Sequence, residues 1–220
     1  MRLYIELSPN QKPVPFTYQA KLVGSFHKWL GKNSIHDAIS MYSLSWLTGS
    51  KKYKGMLEFP EGARWFISSP DRALIKNLVD GIFSDPELAY GMKVQSLTLR
   101  ETPDFGKEHR FLVNSPVLVK RKLEGDENET HFIWNQPESD HYLTETLQHK
   151  LENAGISGKL IEAGFDRNYA GAKTKMVQYK DINNRASLCP VFLKGDPEAI
   201  SFAWDVGVGN STGIGFGALV

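Results

Sequence analysis

Cysteine is nearly absent: Cys189 stands alone among 220 residues. One thiol excludes an intramolecular disulfide framework and any metal site built on clustered cysteines. It also fits a reducing compartment. Long apolar runs are missing as well. Nothing approaches the roughly 18 consecutive apolar residues of a membrane span, and the opening MRLYIELSPN lacks the apolar core of a signal peptide. The expectation is a cytoplasmic chain with no membrane partner. Neither sign of charge is in excess, with 26 Lys+Arg against 25 Asp+Glu and a net charge of +1. That excludes a tail-driven polycation but not a local basic face. Metal patterns are lacking too. There is no HExxH, and His141 and His149 lie eight apart on one expected helix rather than four. Neither a metal nor a cofactor is expected.

Apolar and aromatic residues are plentiful, at 41% and 11%, which argues against disorder. Arg2–Leu7 alternates as a strand with Leu3, Ile5 and Leu7 on one face. Thr17–Leu30 spaces Ala20, Val23, Phe26, His27 and Leu30 as one stripe of a helix, with Thr17 as N-cap and Gly31 as stop. Met41–Leu47 and Ala63–Ser69 read as strands, Asp71–Phe83 as a helix and Val94–Glu101 as a strand. The order β-α-β-β-α-β is ferredoxin-like. Beyond Thr102–Glu108 the theme returns in looser form. Strands are expected over Phe111–Val113, Pro116–Arg121, His131–Asn135, Leu160–Phe165, Lys173–Tyr179 and Ala186–Phe192, with a last strand over Ile214–Val220. Helices are expected over Ser139–Ala154, capped by Ser139, and Asp196–Val206, capped by Asp196. The fold class is thus α+β, two tandem ferredoxin-like (RRM-like, βαββαβ) domains over 1–103 and 104–220, the second less regular.

The most distinctive string is Gly207-Val-Gly209-Asn-Ser-Thr-Gly213-Ile-Gly215-Phe-Gly217. Such glycine density is costly in regular structure. It suits a loop that needs positive φ or close approach, whose N–H groups could cradle phosphate; a tight loop before a last strand explains it equally well. A dinucleotide fingerprint must follow a strand and open a helix, which this string does not, and no Gly-Lys-Ser/Thr makes a Walker loop.

The tail ending Gly213-Ile-Gly215-Phe-Gly217 resembles the glycine-rich loop of the RAMP superfamily, specifically its CRISPR repeat-RNA processing endoribonucleases. Phe111-Leu-Val-Asn-Ser115-Pro116-Val-Leu-Val119 is similar to the segment that opens that family's second domain. The early helix followed by Ile35-His36 and Tyr42-Ser-Leu-Ser45-Trp46-Leu fits the family's amino-terminal half.

The resemblance implies cleavage of precursor CRISPR RNA without metal, by attack of a 2′-hydroxyl, leaving 5′-hydroxyl and 2′,3′-cyclic phosphate ends. Histidine suits both proton transfers. His27, late in the first helix, and His36, in the loop after it, match the family's catalytic positions. His27 also shares its spacing with Val23 and Leu30, as a structural histidine would. The family's lysine on the strand after that loop is missing, and Lys52 is the candidate cation, with Lys28, Lys32, Lys51 and Lys54 as alternatives. For RNA binding the resemblance points to Lys120, Arg121 and Lys122, to Lys173 and Lys175 on one strand face, and to Gly207, Gly209, Gly213, Gly215 and Gly217. CRISPR repeat RNA is the implied partner. Effector-complex subunits and a second copy of the chain are also within what the resemblance allows, as is a RAMP subunit that binds RNA without cutting it.

Overall fold

The computed structural model describes residues 1–32, 39–125, 127–156 and 159–220. In the first half, β1 (Arg2–Leu7), α1 (Gln19–Leu30), β2 (Ser43–Leu44), β3 (Lys51–Tyr53), β4 (Met56–Glu58), β5 (Ala63–Ser68), α2 (Arg72–Ser84) and β6 (Val94–Arg100) follow one another. Four of these strands form an antiparallel sheet in the order β2-β5-β1-β6, the ferredoxin-like arrangement. Leu3, Ile5 and Leu7 are buried, as their alternation requires, in one core with Leu22, Phe26, Trp29, Leu74, Ile75 and Leu78 from the two helices. The β3–β4 hairpin is an insertion.

Local chemistry explains several element ends. The Asp71 carboxylate accepts from the N–H groups of Ala73 at 2.8 Å and Leu74 at 3.2 Å, a side-chain cap on α2. Thr17 does not cap α1, which starts after Tyr18 without a side-chain cap. The buried face of α1 is Leu22, Val23, Phe26, Trp29 and Leu30, so His27 sits at its rim, half-buried. Of the expected Met41–Leu47 strand, Ser43–Leu44 pairs regularly with β5 and Ser45 adds one bond to Phe66 O at 3.0 Å.

The second half holds β7 (Glu108–Phe111), β8 (Val119–Arg121), β9 (Thr130–Phe132), α3 (Glu138–Asn153), β10 (Ile161–Phe165), β11 (Lys173–Tyr179), β12 (Ile182–Leu188), β13 (Val191–Gly195), α4 (Pro197–Val206) and a 3₁₀ turn, Thr212–Ile214. Its main sheet runs β10-β13-β7. The chain end completes the same strand order: Val220 and Leu112 exchange backbone bonds at 2.9 and 3.1 Å, and Asn114 N–H reaches Ala218 O at 2.8 Å. β8–β9 and β11–β12 are added antiparallel pairs.

Three expectations are corrected here. Ala186–Phe192 is not one strand: it breaks at Cys189–Pro190, and the two pieces serve different sheets, since proline cannot donate to a ladder. Ile214–Val220 is not a regular strand, because the glycines hold a turn and only its last residues pair. Neither Ser139 nor Asp196 caps its helix by side chain. The Ser139 hydroxyl donates to Gln136 O at 2.6 Å, and the Asp196 carboxylate accepts from Leu160 N at 2.7 Å. No described helix is long and apolar enough to cross a membrane.

The halves join through buried polar groups. The Arg2 guanidinium lies between the rings of Phe66 and Trp204, at 4.0 and 3.4 Å from their centroids. It donates to Ser68 Oγ at 3.2 Å and Trp204 O at 3.1 Å, and burial lowers its pKa to about 10. Asp205 accepts from Ser68 Oγ at 3.0 Å and Thr102 Oγ1 at 2.6 Å, while Ser43 Oγ donates to Asp205 O at 3.0 Å. Cys189 is fully buried, donates from Sγ to Asp166 O at 3.3 Å, and has its thiol pushed up to about 11 by burial.

Candidate nucleic-acid interface

The glycine-rich segment is a buried wedge at the seam. All five of its glycines are buried. Val208 N–H donates to Gly217 O at 3.0 Å, Gly217 N–H to Pro116 O at 2.9 Å and Asn210 N–H to Leu118 O at 2.8 Å, which folds the segment onto β8 and its approach. Gly217 has φ +63°, and a Cβ there would lie 1.9 Å from Val208 O. At the tip, a Cβ on Gly213 would meet Ser40 Oγ at 2.3 Å and Tyr42 Oη at 2.9 Å. Thr212 Oγ1 donates to Tyr42 O at 2.9 Å, and Trp46 Nε1 donates to Gly215 O at 2.8 Å. The glycines thus allow close packing across the seam, and any role toward RNA passes through the turn they shape.

Tyr42 links that turn to α1 through Phe26. His27 lies edge-on to Phe26 at 5.0 Å, and Phe26 stacks on Tyr42 at 4.7 Å. Burial raises the Tyr42 hydroxyl pKa, partly offset by a hydrogen bond with Ser40. His36 lies outside the described residues. Lys52 is not beside His27. It lines a groove with Phe16, Thr17 and Tyr18, at the amino end of α1, whereas His27 is in its last turn. The nine residues from Tyr18 to His27 span about 13.5 Å of helix, beyond the reach of one lysine side chain.

A cavity of about 670 Å³ opens on the other side of the turn, lined by Ser40, Arg121, His149, Lys150, Ser211 and Thr212 among others. Lys150 is fully enclosed there. Its ammonium donates to Val206 O at 3.1 Å, Gly207 O at 3.4 Å and Thr212 Oγ1 at 3.0 Å, and burial lowers its pKa to about 7. The lysine thereby ties α3 to the carboxyl end of α4 and to the glycine-rich turn, a position that favours a cation.

The basic triplet is unequal in what it leaves free. Lys120 pairs with Glu129 at 2.6 Å, and Arg121 bonds Glu145 at 3.2 Å and Thr146 Oγ1 at 2.7 Å. Lys122 is exposed. Lys173 and Lys175 share a face of β11, and Lys175 Nζ sits 4.3 Å above the Trp46 ring.

Lys150, Asn210 and Thr212 were not among the expected site residues. Lys150 had a visible signal, a cation in the stripe Leu143, Leu147, Leu151. Asn210, whose Oδ1 accepts from Lys120 N at 2.9 Å, had none beyond its glycine neighbours.

The family model for CRISPR associated protein Cas6, C-terminal, matches residues 100–220. A CRISPR-associated endoribonuclease Cas6 1 of Methanocaldococcus jannaschii is 24% identical over 242 aligned residues, which cover 100% of this chain and 92% of the relative. The solved structure of a Cas6-related protein from Pyrococcus furiosus has TM-score 0.86 at 20% identity, covering 100% of this chain and 97% of its own. A RAMP protein described as binding different RNA substrates has TM-score 0.83 at 20% identity, with 100% and 98% covered. These likenesses establish the fold as that of the two-domain ferredoxin-like RAMP proteins. With the family match spanning more than half of its length, the chain belongs to the Cas6 family of CRISPR-associated proteins.

Proposed function

We propose that this chain is an endoribonuclease that cuts precursor CRISPR RNA within its repeats, without a metal ion, and that its domains are 1–103 and 104–220. The division is supported by the gap between β6, ending at Arg100, and β7, starting at Glu108. One observation carries the activity: Phe26 of α1, the Ser40–Tyr42 segment and the glycine-rich turn meet at the seam, and a cavity opens beside them. Both halves contribute polar groups where an RNA strand would have to pass.

In the reaction, a base takes the proton of a 2′-hydroxyl and the oxygen attacks the adjacent phosphorus. The bond from phosphorus to the 5′-oxygen breaks, and an acid returns a proton to that oxygen. A 2′,3′-cyclic phosphate and a 5′-hydroxyl result, with no net proton change. Histidine can serve either step near neutral pH, and His27 and His36 take these roles. Arg121, Lys122, Lys173 and Lys175 hold the RNA backbone in this reading.

The test is incubation of the chain with repeat RNA in excess EDTA. Expected are two fragments with the stated ends, and a loss of about a hundred-fold or more in rate for His27→Ala and His36→Ala. Intact RNA despite tight binding removes the enzymatic reading. In its place would stand a RAMP subunit that binds guide RNA without cutting it. The distance of Lys52 from His27 along α1 favours that second reading, as does the engagement of Lys28, the neighbour of His27, with Asp85 at 2.9 Å.

A further inference from the structure

The first sheet ends on an open strand edge. Met1 and Ser69 exchange backbone bonds at 2.8 and 3.0 Å, so the odd-numbered residues of β1 bond β5. Arg2, Tyr4 and Glu6 then bond Arg100, Thr98 and Ser96 of β6. Alternation turns the N–H and C=O groups of Gln95, Leu97 and Leu99 out of the sheet, and no hydrogen bond among the described residues takes them up. The start of β6 is closed by its own chain, since Val94 N–H donates to Pro86 O at 2.9 Å.

Bare edges accept another strand, and folds blunt them with charge, proline or a covering element. An edge of the second sheet, β10, is covered in this way. Its Ala163 N–H donates to Thr144 Oγ1 at 3.0 Å, Thr144 Oγ1 donates to Ala163 O at 3.2 Å, and Phe165 N–H donates to Asp140 Oδ1 at 3.0 Å, all on α3. The stretch Gln95-Ser-Leu-Thr-Leu99 has no such cover and carries neither charge nor proline.

Apolar side chains accompany the open backbone. Leu97 and Leu99 stand opposite Ile5 and Leu3, on the helix-covered face, and Leu99 is 52% exposed. Arg72, Lys76, Val79 and Phe83 form one stripe of α2. It points away from Gly81, which abuts α1 so closely that a Cβ would lie 1.9 Å from Trp29 O. Arg72 bonds Glu101, just past β6, at 2.9 Å, so the stripe overhangs this edge, and its Phe83 is 77% exposed.

The edge complements itself. Outward groups meet only where odd residues face odd ones, and the Pro86 closure confines pairing to Gln95–Glu101. Full antiparallel overlap of that stretch with a copy of itself puts Leu97 opposite Leu99, Thr98 opposite Thr98, Ser96 opposite Arg100 and Gln95 opposite Glu101. Leucines then meet on one face and no like charges face each other. An aromatic ring buries about 150–250 Å², so the two Phe83 rings bring roughly 230–390 Å² towards the ~1,000 Å² of a specific interface. The paired strands and Leu99 supply the rest.

We propose that two copies of this chain pair antiparallel through β6, joining their first sheets into one, with the twofold axis at Thr98 and Phe83 of each α2 closing over the leucines. This isologous contact lies at the far edge of the sheet from β2, the strand beside the glycine-rich turn, and it does not depend on the activity proposed above.

The test is light scattering of the full chain on size exclusion over a concentration series, without RNA. The wild type should show twice the 24.8 kDa of one chain, and Leu99→Lys and Phe83→Glu should each show one, with circular dichroism verifying their fold. Mild oxidation of a Thr98→Cys variant reads the register. Residues facing each other in a non-hydrogen-bonded pair have Cα atoms about 4.5 Å apart, within disulfide range, so this variant should form a covalent dimer on a non-reducing gel. Ser96→Cys, two residues away on the same face, should not. A monomeric wild type overturns the proposal, whether its edge stays bare or takes up a strand of another protein. So does a dimer that survives both substitutions, or cross-linking of Ser96→Cys as readily as Thr98→Cys.

Discussion

Lys150 shows how one residue can couple local chemistry to pH. Its folded pKa of about 7 lies below the ordinary lysine value of 10.5. Between those pH values the unfolded chain binds more protons than the folded one, so stability rises with pH across that window. Below pH 7 both states carry the charge and the burial penalty is at its largest. Lys150→Met has no such proton. The urea-derived stability of wild type relative to this variant should therefore climb by up to about 1.4 kcal/mol per pH unit between roughly pH 7.5 and 9.5. Parallel profiles would refute the assignment. Glycine positions differ as sharply. Gly217→Ala, forced into positive φ against Val208 O, should cost roughly 2–4 kcal/mol. Gly106→Ala, at φ +68° but facing open space, should cost only about 1 kcal/mol. Denaturant titrations of the two variants check the contrast. What the sequence reveals at this scale is uneven. The half-buried placement of His27 was legible, because its spacing with Val23 and Leu30 sets it against an apolar stripe. Lys52 was not, because its nearness to the early histidines along the chain says nothing of the hairpin that carries it toward β11.

Elements were legible where pattern and end chemistry agree. Lys173–Tyr179 alternates cleanly, and Arg72–Ser84 follows a capping aspartate, so both stand close to expectation. Asp71→Ala should destabilise the chain by about 1 kcal/mol through loss of two accepted bonds, measurable as a lowered melting temperature. Legibility failed where tertiary partners decide. Nothing in Ala186–Phe192 says that its two pieces belong to different sheets, except Pro190 itself. The chain end pairs with 112–114 only because the glycine-rich wedge delivers it there. Short strands such as Ser43–Leu44 are defined by their neighbours more than by their own residues.

For the whole molecule, the seam decides cooperativity. Arg2 and Asp205 come from nearly opposite ends of the chain, and both are buried where the halves meet. Asp205→Ala would leave the Met1 ammonium, 3.0 Å away, without its ion-pair partner and remove the carboxylate that accepts from the Ser68 and Thr102 hydroxyls. The expected cost is about 3–5 kcal/mol. Far-ultraviolet circular dichroism and tryptophan fluorescence should report one coincident unfolding transition in the wild type, and separated transitions would mean that the halves are energetically independent. The single cysteine has a consequence at this scale too. A thiol that is sealed from solvent and held in its unreactive protonated form leaves the native chain silent toward maleimides near neutral pH. A cysteine introduced at exposed Thr174 would then be the sole attachment point for a fluorophore. The arrival of RNA at the β11–β12 hairpin could be timed in an otherwise native molecule, without first removing any natural residue.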